Sequence, residues 1–459
     1  MELITELHMH GRYSRATSKD LTIANLEKYA RLKGLQVLGI GDFTHPLWIK
    51  EIAEATTEDE HGILRTSSGF PFIWQSEISL MYSDGGKGRR IHNIVLAPNR
   101  EIVRQITDYL MTKGRVDYDG RPIFGISCPE FVERLKEISS DIEIIPAHVW
   151  TPWFSIFGSK SGFDSVEECF QDQAGHIHAL ETGLSSDPAM NWRLSKLDKF
   201  NLVSSSDAHS HWPWRVGREA TVLNVAHSQV RYRDILSAIR DTEDGVTMTF
   251  EVDPGYGMYH VDGHRACGIS MEPEDARKLN NICPACKRPL TVGVLHRVED
   301  LADRPAGYVK KGAPPFKTLL PLSELIAAVV EKGLATKEVW SVFYSLVKDG
   351  RTELDILLRT PKEELMSLIK LFRITKIVKP EIAMGIADAI IDNREGRIQM
   401  KPGYDGVYGV PIVRGKMATQ STSPQLLKTK IKKAEIKKTD KPLPPEPAIR
   451  ERQVGLGLF

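Results

Sequence analysis

No stretch of this 459-residue chain is both long and apolar enough to span a bilayer, and its opening MELITELHMH carries acidic residues where a secretory signal would need an apolar core. A soluble, intracellular protein is therefore expected, with no membrane partner. Charge of one sign is missing too. The 61 Lys and Arg residues face 60 Asp and Glu residues for a net charge of +1, so bulk charge points to neither nucleic acid nor membrane, and any basic surface must be local. Cysteine is scarce. Of the five, three cluster at metal spacing and only Cys128 and Cys169 are left over, which excludes a disulfide scaffold. The length exceeds what one hydrophobic core normally serves, so two or more domains are expected.

What the chain does carry is a series of histidines and carboxylates set in or at the ends of successive apolar runs. It begins with His8-Met9-His10 and closes with Asp207-Ala208-His209. Residues i and i+2 of a strand point to one side, so each pair presents two metal-ligand groups to one point. Between the pairs come Asp42 in LGIGDFTH, Glu77 in IWQSEI, His92 in RRIHNIVLA and His148 in IIPAHVW. Imidazole mixed with carboxylate is the ligand chemistry of zinc, manganese or iron in hydrolytic sites. A lone strand-end histidine is more often an ordinary core or surface residue. Two i, i+2 pairs plus four further candidates make a metal centre the expectation.

From residue 1 to about 245 these runs alternate with helix-like segments. The first is LTIANLEKYARLKG, with Ile23, Leu26, Ala30 and Leu32 on a broad apolar face and Gly34 at its end. The alternation predicts parallel strands joined by crossover helices. About seven such units closing on themselves give a distorted (β/α)7-type barrel, an α/β fold whose active site lies at the C-terminal strand ends, where the ligand candidates fall. His176 and His178 begin the strand leading to Glu181, so they belong at the opposite end, and Glu181 is expected to support the ligands. Residues 246–315 change character. The Cys283-Pro-Ala-Cys286 knuckle, with Cys267 and His264 upstream, is a ligand set for one structural zinc, His260 being the alternative histidine. Over 316–415, apolar residues at three- and four-residue spacing predict a small helical domain. Residues 416–459 have the composition of a disordered tail, with lysines at 428, 430, 432, 433, 437, 438 and 441.

The order H-x-H, D, E, H, H, D-x-H across a strand-helix barrel resembles the polymerase and histidinol phosphatase (PHP) superfamily of metal-dependent phosphoesterases. The H-x-x-C and C-P-x-C segment, the helical region and the strings HVWTPWFSIFGSKSGF, SSDAHSHWPWRVGREATVL and YHVDGHRACGI narrow this to a resemblance, over residues 1–410, to the endonuclease Q family of DNA repair nucleases. The resemblance implies His8, His10, Glu77 and Asp207 on one ion, with Glu77 bridging to a second ion held by His92 and His148. Asp42 and His209 would serve a third ion. Phe43 and Arg15 stand where the superfamily often has histidine, and His45 is a substitute there, so two or three divalent ions (Zn, Mn or Mg) are expected. It implies hydrolysis on the 5′ side of uracil, hypoxanthine, xanthine or an abasic site, with Asp207, His10 and Glu77 essential. The implied partner is damaged double- or single-stranded DNA, and the implied place the cytoplasm, at the nucleoid.

In the loop after His148, Trp150, Trp153, Phe154 and Phe157 are candidates to stack on an extruded base, and Arg215 and Arg218 to hold phosphates. Core packing and an internal salt bridge are the competing explanations. The terminal Gln453-x-x-Leu456-x-x-Phe459 resembles the peptide by which repair enzymes dock on the sliding clamp, proliferating cell nuclear antigen. Two rival functions remain. A small-molecule phosphomonoesterase of the histidinol-phosphatase type needs neither the zinc knuckle nor the lysine-rich tail. A non-catalytic, clamp-tethered DNA-binding protein would not be expected to keep every ligand candidate.

Overall fold

The structure, a computed structural model, describes residues 1–371 and 380–417. Its centre is a closed array of strands: β1 (Glu2–Glu6), β2 (Val37–Gly39), β3 (Pro71–Asp84), β4 (Lys87–Ala97), β5 (Glu143–Pro146), β6 (Ala179–Glu181), β7 (Asn201–Val203), β8 (Ala220–Asn224), β9 (Val246–Glu251) and β10 (Phe316–Thr318). Every residue of β2, β5 and β6 is buried, as strands covered on both faces must be. Strands β1, β2 and β3 pair in parallel, as do β6 with β7 and β9 with β10. Two seams lack a regular ladder and are closed by isolated bonds, several of them through side chains. The Val149 N–H donates to the Glu181 carbonyl (3.0 Å), and the Ser204 N–H donates to the Thr221 hydroxyl (2.8 Å).

Three expectations are corrected. The sheet is mixed, not all parallel, because β3 and β4 form one long antiparallel hairpin, β5 runs antiparallel to β4, β8 runs antiparallel to β1, and β9 runs antiparallel to β8. The hairpin turns at Gly85 and Gly86, with φ of 56° and 74°, and pairs Asp84 with Lys87. A two-residue turn with both central φ positive matches the strand twist and is open to glycine. Secondly, Glu77 and His92 lie inside β3 and β4, not at strand ends. Thirdly, the sheet does not stop at residue 245: β9 and β10 join it from segments assigned to the zinc module and the helical domain.

Helix α1 (Ile23–Lys33) forms as the sequence indicates. Thr22 caps its first turn by accepting from the Asn25 N–H, and Gly34 ends it at φ 101°. Its buried face includes Lys33, which pairs with the buried Glu353 at 2.8 Å. Glu353 opens a short helix of a bundle made of Leu322–Val330, Lys337–Leu346, Glu353–Leu358, Lys362–Leu371 and Pro380–Arg394. This bundle has its own apolar core around Leu325, Phe343, Ile356, Ile386 and Ile390. The core also takes in Trp214 from the loop that follows Asp207, where Trp212 and Trp214 stack at 5.0 Å and both meet Trp340. The segment carrying the last ligand pair is thus anchored on the helical region. Among the described residues no helix is long and apolar enough to cross a membrane.

Candidate metal centre

Beyond β1 the chain leaves the ladder, yet Met9 and Ala208 still bridge in parallel. His8 and His10 on one side of this link and Asp207 on the other are therefore turned into one pocket. Below them, Glu77 of β3 is paired with Ile94 of β4, which puts His92, two residues away, on the same face. His148 follows the end of β5. Its φ is 31°, and Gly183 packs so closely that an added Cβ would lie 2.7 Å from the His148 Cβ. Asp42 and Asp207 also have positive φ, 44° and 48°. Side chains other than glycine rarely adopt this conformation, and its concentration at three ligand candidates marks a site held by its surroundings.

Glu77 is the hinge of the arrangement. Its Oε2 lies 3.3 Å from His10 Nε2 and 3.6 Å from His8 Nε2, while its Oε1 lies 2.6 Å from His92 Nδ1 and 3.2 Å from His148 Nε2. Asp207 Oδ1 completes the first side, 2.9 Å from His10 Nε2 and 3.6 Å from His8 Nε2. Two groups result, His8, His10, Glu77 and Asp207 on one hand and Glu77, His92 and His148 on the other, each able to offer its ligand atoms within 4.8 Å of one another. The donor set fits divalent cations. The buried His8 Nε2 also has no hydrogen-bond partner, as expected of a lone pair meant for an ion.

The imidazoles are aimed from behind. Glu181, fully buried, accepts from His8 Nδ1 at 3.0 and 3.1 Å and from the His148 backbone N–H at 2.7 Å. Asp42 accepts from His10 Nδ1 at 3.0 Å, and its other oxygen takes the Gly11 N–H (2.6 Å) and the Ser14 hydroxyl (2.7 Å). With both Nδ1 atoms donating, both Nε2 atoms face the pocket. Burial alone would lower the two histidines' affinity for protons. The carboxylates around them, Glu181, Asp207 and Glu77 for His8 and chiefly Asp42 and Asp207 for His10, outweigh it and hold both well above the ordinary value. Burial would likewise raise Glu77, but His92, Arg121 and His8 keep it ionised, well below the ordinary carboxylate range.

The third-ion candidates are not brought into either group. Asp42 is occupied as a support for His10, and His209 folds back so that its Nδ1 meets the Asp207 carbonyl at 2.9 Å. His45, the substitute, accepts from the Leu47 N–H as the cap of helix Pro46–Ala55. His178 bonds Glu143 at the far end of the barrel, as its place in the sequence implied. In the cysteine segment, His264, Cys267, Cys283 and Cys286 form a third group, with Cys286 Sγ 3.3 Å from His264 Nδ1. His260 is outside it. Burial would raise the Cys283 thiol, but the backbone N–H groups of Cys286 and Ala285 bring it down to about 6, favouring the thiolate.

Of the residues proposed to touch DNA, Trp150 and Phe157 are buried in the core, with Trp150 Nε1 donating to Asn191, so these two pack instead of facing a ligand. Arg218 is buried as well, its guanidinium over the Tyr256 ring, which removes it as a surface phosphate ligand. Trp153, Phe154 and Arg215 remain half-buried. Phe154 lies against the His92 ring at 4.6 Å, and Trp153 meets Tyr259 edge-on at 5.6 Å. Two residues of the centre were missed by the sequence reading. Glu6 joins the two ligand segments by accepting from the backbone N–H groups of His8 and Ser206, and Arg121 donates to Glu77 Oε2 at 3.0 Å. Neither sits in a ligand-like motif. The only signal for Arg121 was the turn string Asp119-Gly120-Arg121-Pro122.

Residues 321–396 match the family model of the MJ0043 C-terminal domain. An uncharacterised protein of Methanocaldococcus jannaschii, MJ0043, is 31% identical over 304 residues, 64% of this chain but only 34% of that protein, so the chain spans about a third of that relative's length. The lesion-specific endonuclease PfuEndoQ of Pyrococcus furiosus has a crystal structure that superposes with a TM-score of 0.77 at 28% identity, covering 94% of this chain and 99% of that one. The chain is a structural relative of endonuclease Q. A structure of endonuclease Q with a 27-mer duplex bearing an abasic lesion at its active site is equally similar, with a TM-score of 0.77, 29% identity, and 91% and 99% of the two chains covered. At that coverage the endonuclease Q likeness takes in the barrel, the cysteine segment and the helical region together, and the MJ0043 C-terminal match falls within the last of these.

Proposed function

We propose that this chain is a metal-dependent DNA repair endonuclease that hydrolyses the phosphodiester bond 5′ of deaminated bases (uracil, hypoxanthine, xanthine) and abasic sites, leaving a 3′-hydroxyl. The observation that carries the reading is the position of Glu77, one carboxylate reaching two ligand groups at once, in a chain similar to endonuclease Q over 94% of its length. His8, His10, Glu77 and Asp207 would hold one divalent ion and Glu77, His92 and His148 a second, with zinc, manganese or magnesium as candidates. His264, Cys267, Cys283 and Cys286 would hold one zinc. Held by these residues, divalent ions would supply a nucleophilic water near neutral pH and would offset the charge that builds on a phosphoryl group. Glu181 and Asp42 keep the imidazoles aimed, and Phe154, half-buried against the His92 ring, and Trp153, half-buried against Tyr259, are the candidates on which an unpaired base would stack.

The test is end-labelled DNA carrying one deoxyinosine, deoxyuridine or abasic site, incubated with the chain and Mg²⁺, Mn²⁺ or Zn²⁺ beside undamaged DNA and a phosphomonoester. A single nick 5′ of the lesion, absent in the Asp207→Asn variant, is expected. Intact DNA with every metal, or turnover of the phosphomonoester alone, refutes the reading. The clamp-binding candidates Gln453, Leu456 and Phe459 lie outside the described residues. Their spacing supports a tether to the sliding clamp in the cytoplasm, at the nucleoid, so truncation before Gln453 should leave basal nicking unchanged and remove stimulation by the clamp. Equal clamp binding by full-length and truncated chains would overturn that part.

A further inference from the structure

Among the described residues, Arg121 is the one permanently charged cation in contact with the candidate ligands of the barrel site. Its Nη1 donates to the Glu77 oxygen that also faces His8 and His10. Its side chain is 25% exposed, whereas those of Glu77, His8 and His10 are fully buried, so it reaches the pocket from the solvent side, where Asp207 is also 28% exposed. The backbone beneath it is pinned. The Arg121 N–H donates to Asp119 Oδ1 at 3.2 Å, an oxygen that also takes the Arg15 N–H at 3.2 Å. The Pro122 carbonyl accepts from the Ser79 N–H of β3 at 3.1 Å, and the Gly120 N–H donates to the Tyr13 carbonyl at 3.3 Å. An added Cβ at Gly120 would lie 2.2 Å from Asp42 Oδ2, so only glycine lets this loop sit against the support of His10. A fixed backbone thus carries a long side chain whose tip alone reaches the centre.

Resting on the metal-centre reading above, we infer that Arg121 is the residue that grips the phosphoryl group of the substrate, through its guanidinium, when Glu77 is engaged by metal. The imidazoles around Glu77 offer lone pairs to an ion, but a guanidinium has none to give and stays charged. Were Glu77 engaged by metal, the Arg121 guanidinium would have to share the one carboxylate it touches among the described residues and would stand beside positive charge. An anion seated on those ions restores its partner. A planar fork of N–H donors matches two phosphoryl oxygens at once, which an ammonium does not.

The test compares Arg121→Met and Arg121→Lys with wild type in three measurements: metal content per chain, affinity of the metal-loaded chain for inorganic phosphate by calorimetry, and nicking of single-lesion DNA. Both variants should keep wild-type metal content. Phosphate should bind at least about tenfold more weakly to Arg121→Met, with Arg121→Lys between, and nicking by Arg121→Met should fall about 10²–10³-fold, as when one donor to a developing oxyanion is removed. Unchanged phosphate affinity in both variants, no phosphate binding by wild type, or loss of metal in both variants overturns the inference, the last because Arg121 would then be a strut for Glu77. If wild type cuts no DNA, the endonuclease reading falls on its own and the phosphate titration still decides Arg121.

Discussion

Replacing Glu181 with Gln tests whether the ligands are aimed from behind. The wild-type carboxylate is acceptor-only and takes two donors, the His8 ring N–H at 3.0 Å and the His148 backbone N–H at 2.7 Å, in a place with no access to water. A glutamine of the same shape has one oxygen and one NH₂, so one of those donors meets a donor. The loss is one charge-assisted bond, about 1.5–3 kcal/mol. It falls on the orientation of His8 and His148, which belong to different ligand groups, so it should surface as weaker metal binding at both, about 10–100-fold. The assay is a metal-buffered titration of nicking rate together with calorimetry on the metal-stripped chain. Saturating metal should recover most of the activity, because Glu181 touches no ligand pocket directly. Wild-type metal affinity in this variant would refute the idea that Glu181 positions the two histidines.

Cys283→Ser should release one zinc ion per chain and destabilise the cysteine segment, since structural zinc in small modules contributes on the order of 10 kcal/mol, while the barrel ions stay. Metal analysis showing unchanged zinc would contradict the four-ligand group. A pH effect follows from Glu251, buried behind the site with the Thr182 and Ser204 hydroxyls donating to it. Burial lifts its carboxyl from the ordinary 4.5 to about 8, against the pull of its Thr249 and Ser204 hydrogen bonds. A folded value above the unfolded one means stability fully present below pH 4.5 and lost as pH rises through 8. Glu251→Gln should make that loss smaller, with the neighbouring buried Glu219, which burial also raises, left to titrate alone. Equal slopes of unfolding free energy against pH for variant and wild type, from pH 5 to 9, would exclude that role.

The candidate metal centre was legible in the sequence where possible ligands come in pairs of fixed spacing. His8 with His10 could be read because two residues on an extended segment share a side, and that survived even though the segment has left its strand, since the Met9–Ala208 bridge keeps it extended. Cys283 with Cys286 could be read because a knuckle is local. The direction of the strands was not read, although its signal was present. Asp84-Gly85-Gly86-Lys87 is a hairpin turn, and taking it as a break between separate parallel strands placed Glu77 and His92 at ends they do not occupy.

What the sequence withheld is which side of a residue is already taken. Asp42 has the chemistry of a ligand and stands among ligands, but Gly11, Ser14 and His10 consume its oxygens, and nothing in the spacing of LGIGDFTH tells that three donors converge on it. The aromatic loop poses the same problem. Trp150 and Trp153 are three residues apart, yet one is sealed against Asn191 and the other faces Tyr259, because the direction of each ring depends on a chain path set by contacts with β4 and with residues beyond 190. Arg121 and Glu6 are the converse case. They are ordinary surface-type residues by composition, brought against the ligands by contacts 44 and 200 positions away in the chain. Ligand identity is written in residue type and local spacing. The residues that aim the ligands, balance their charge and meet the substrate are chosen by the closed barrel, which brings together positions that no window of sequence contains.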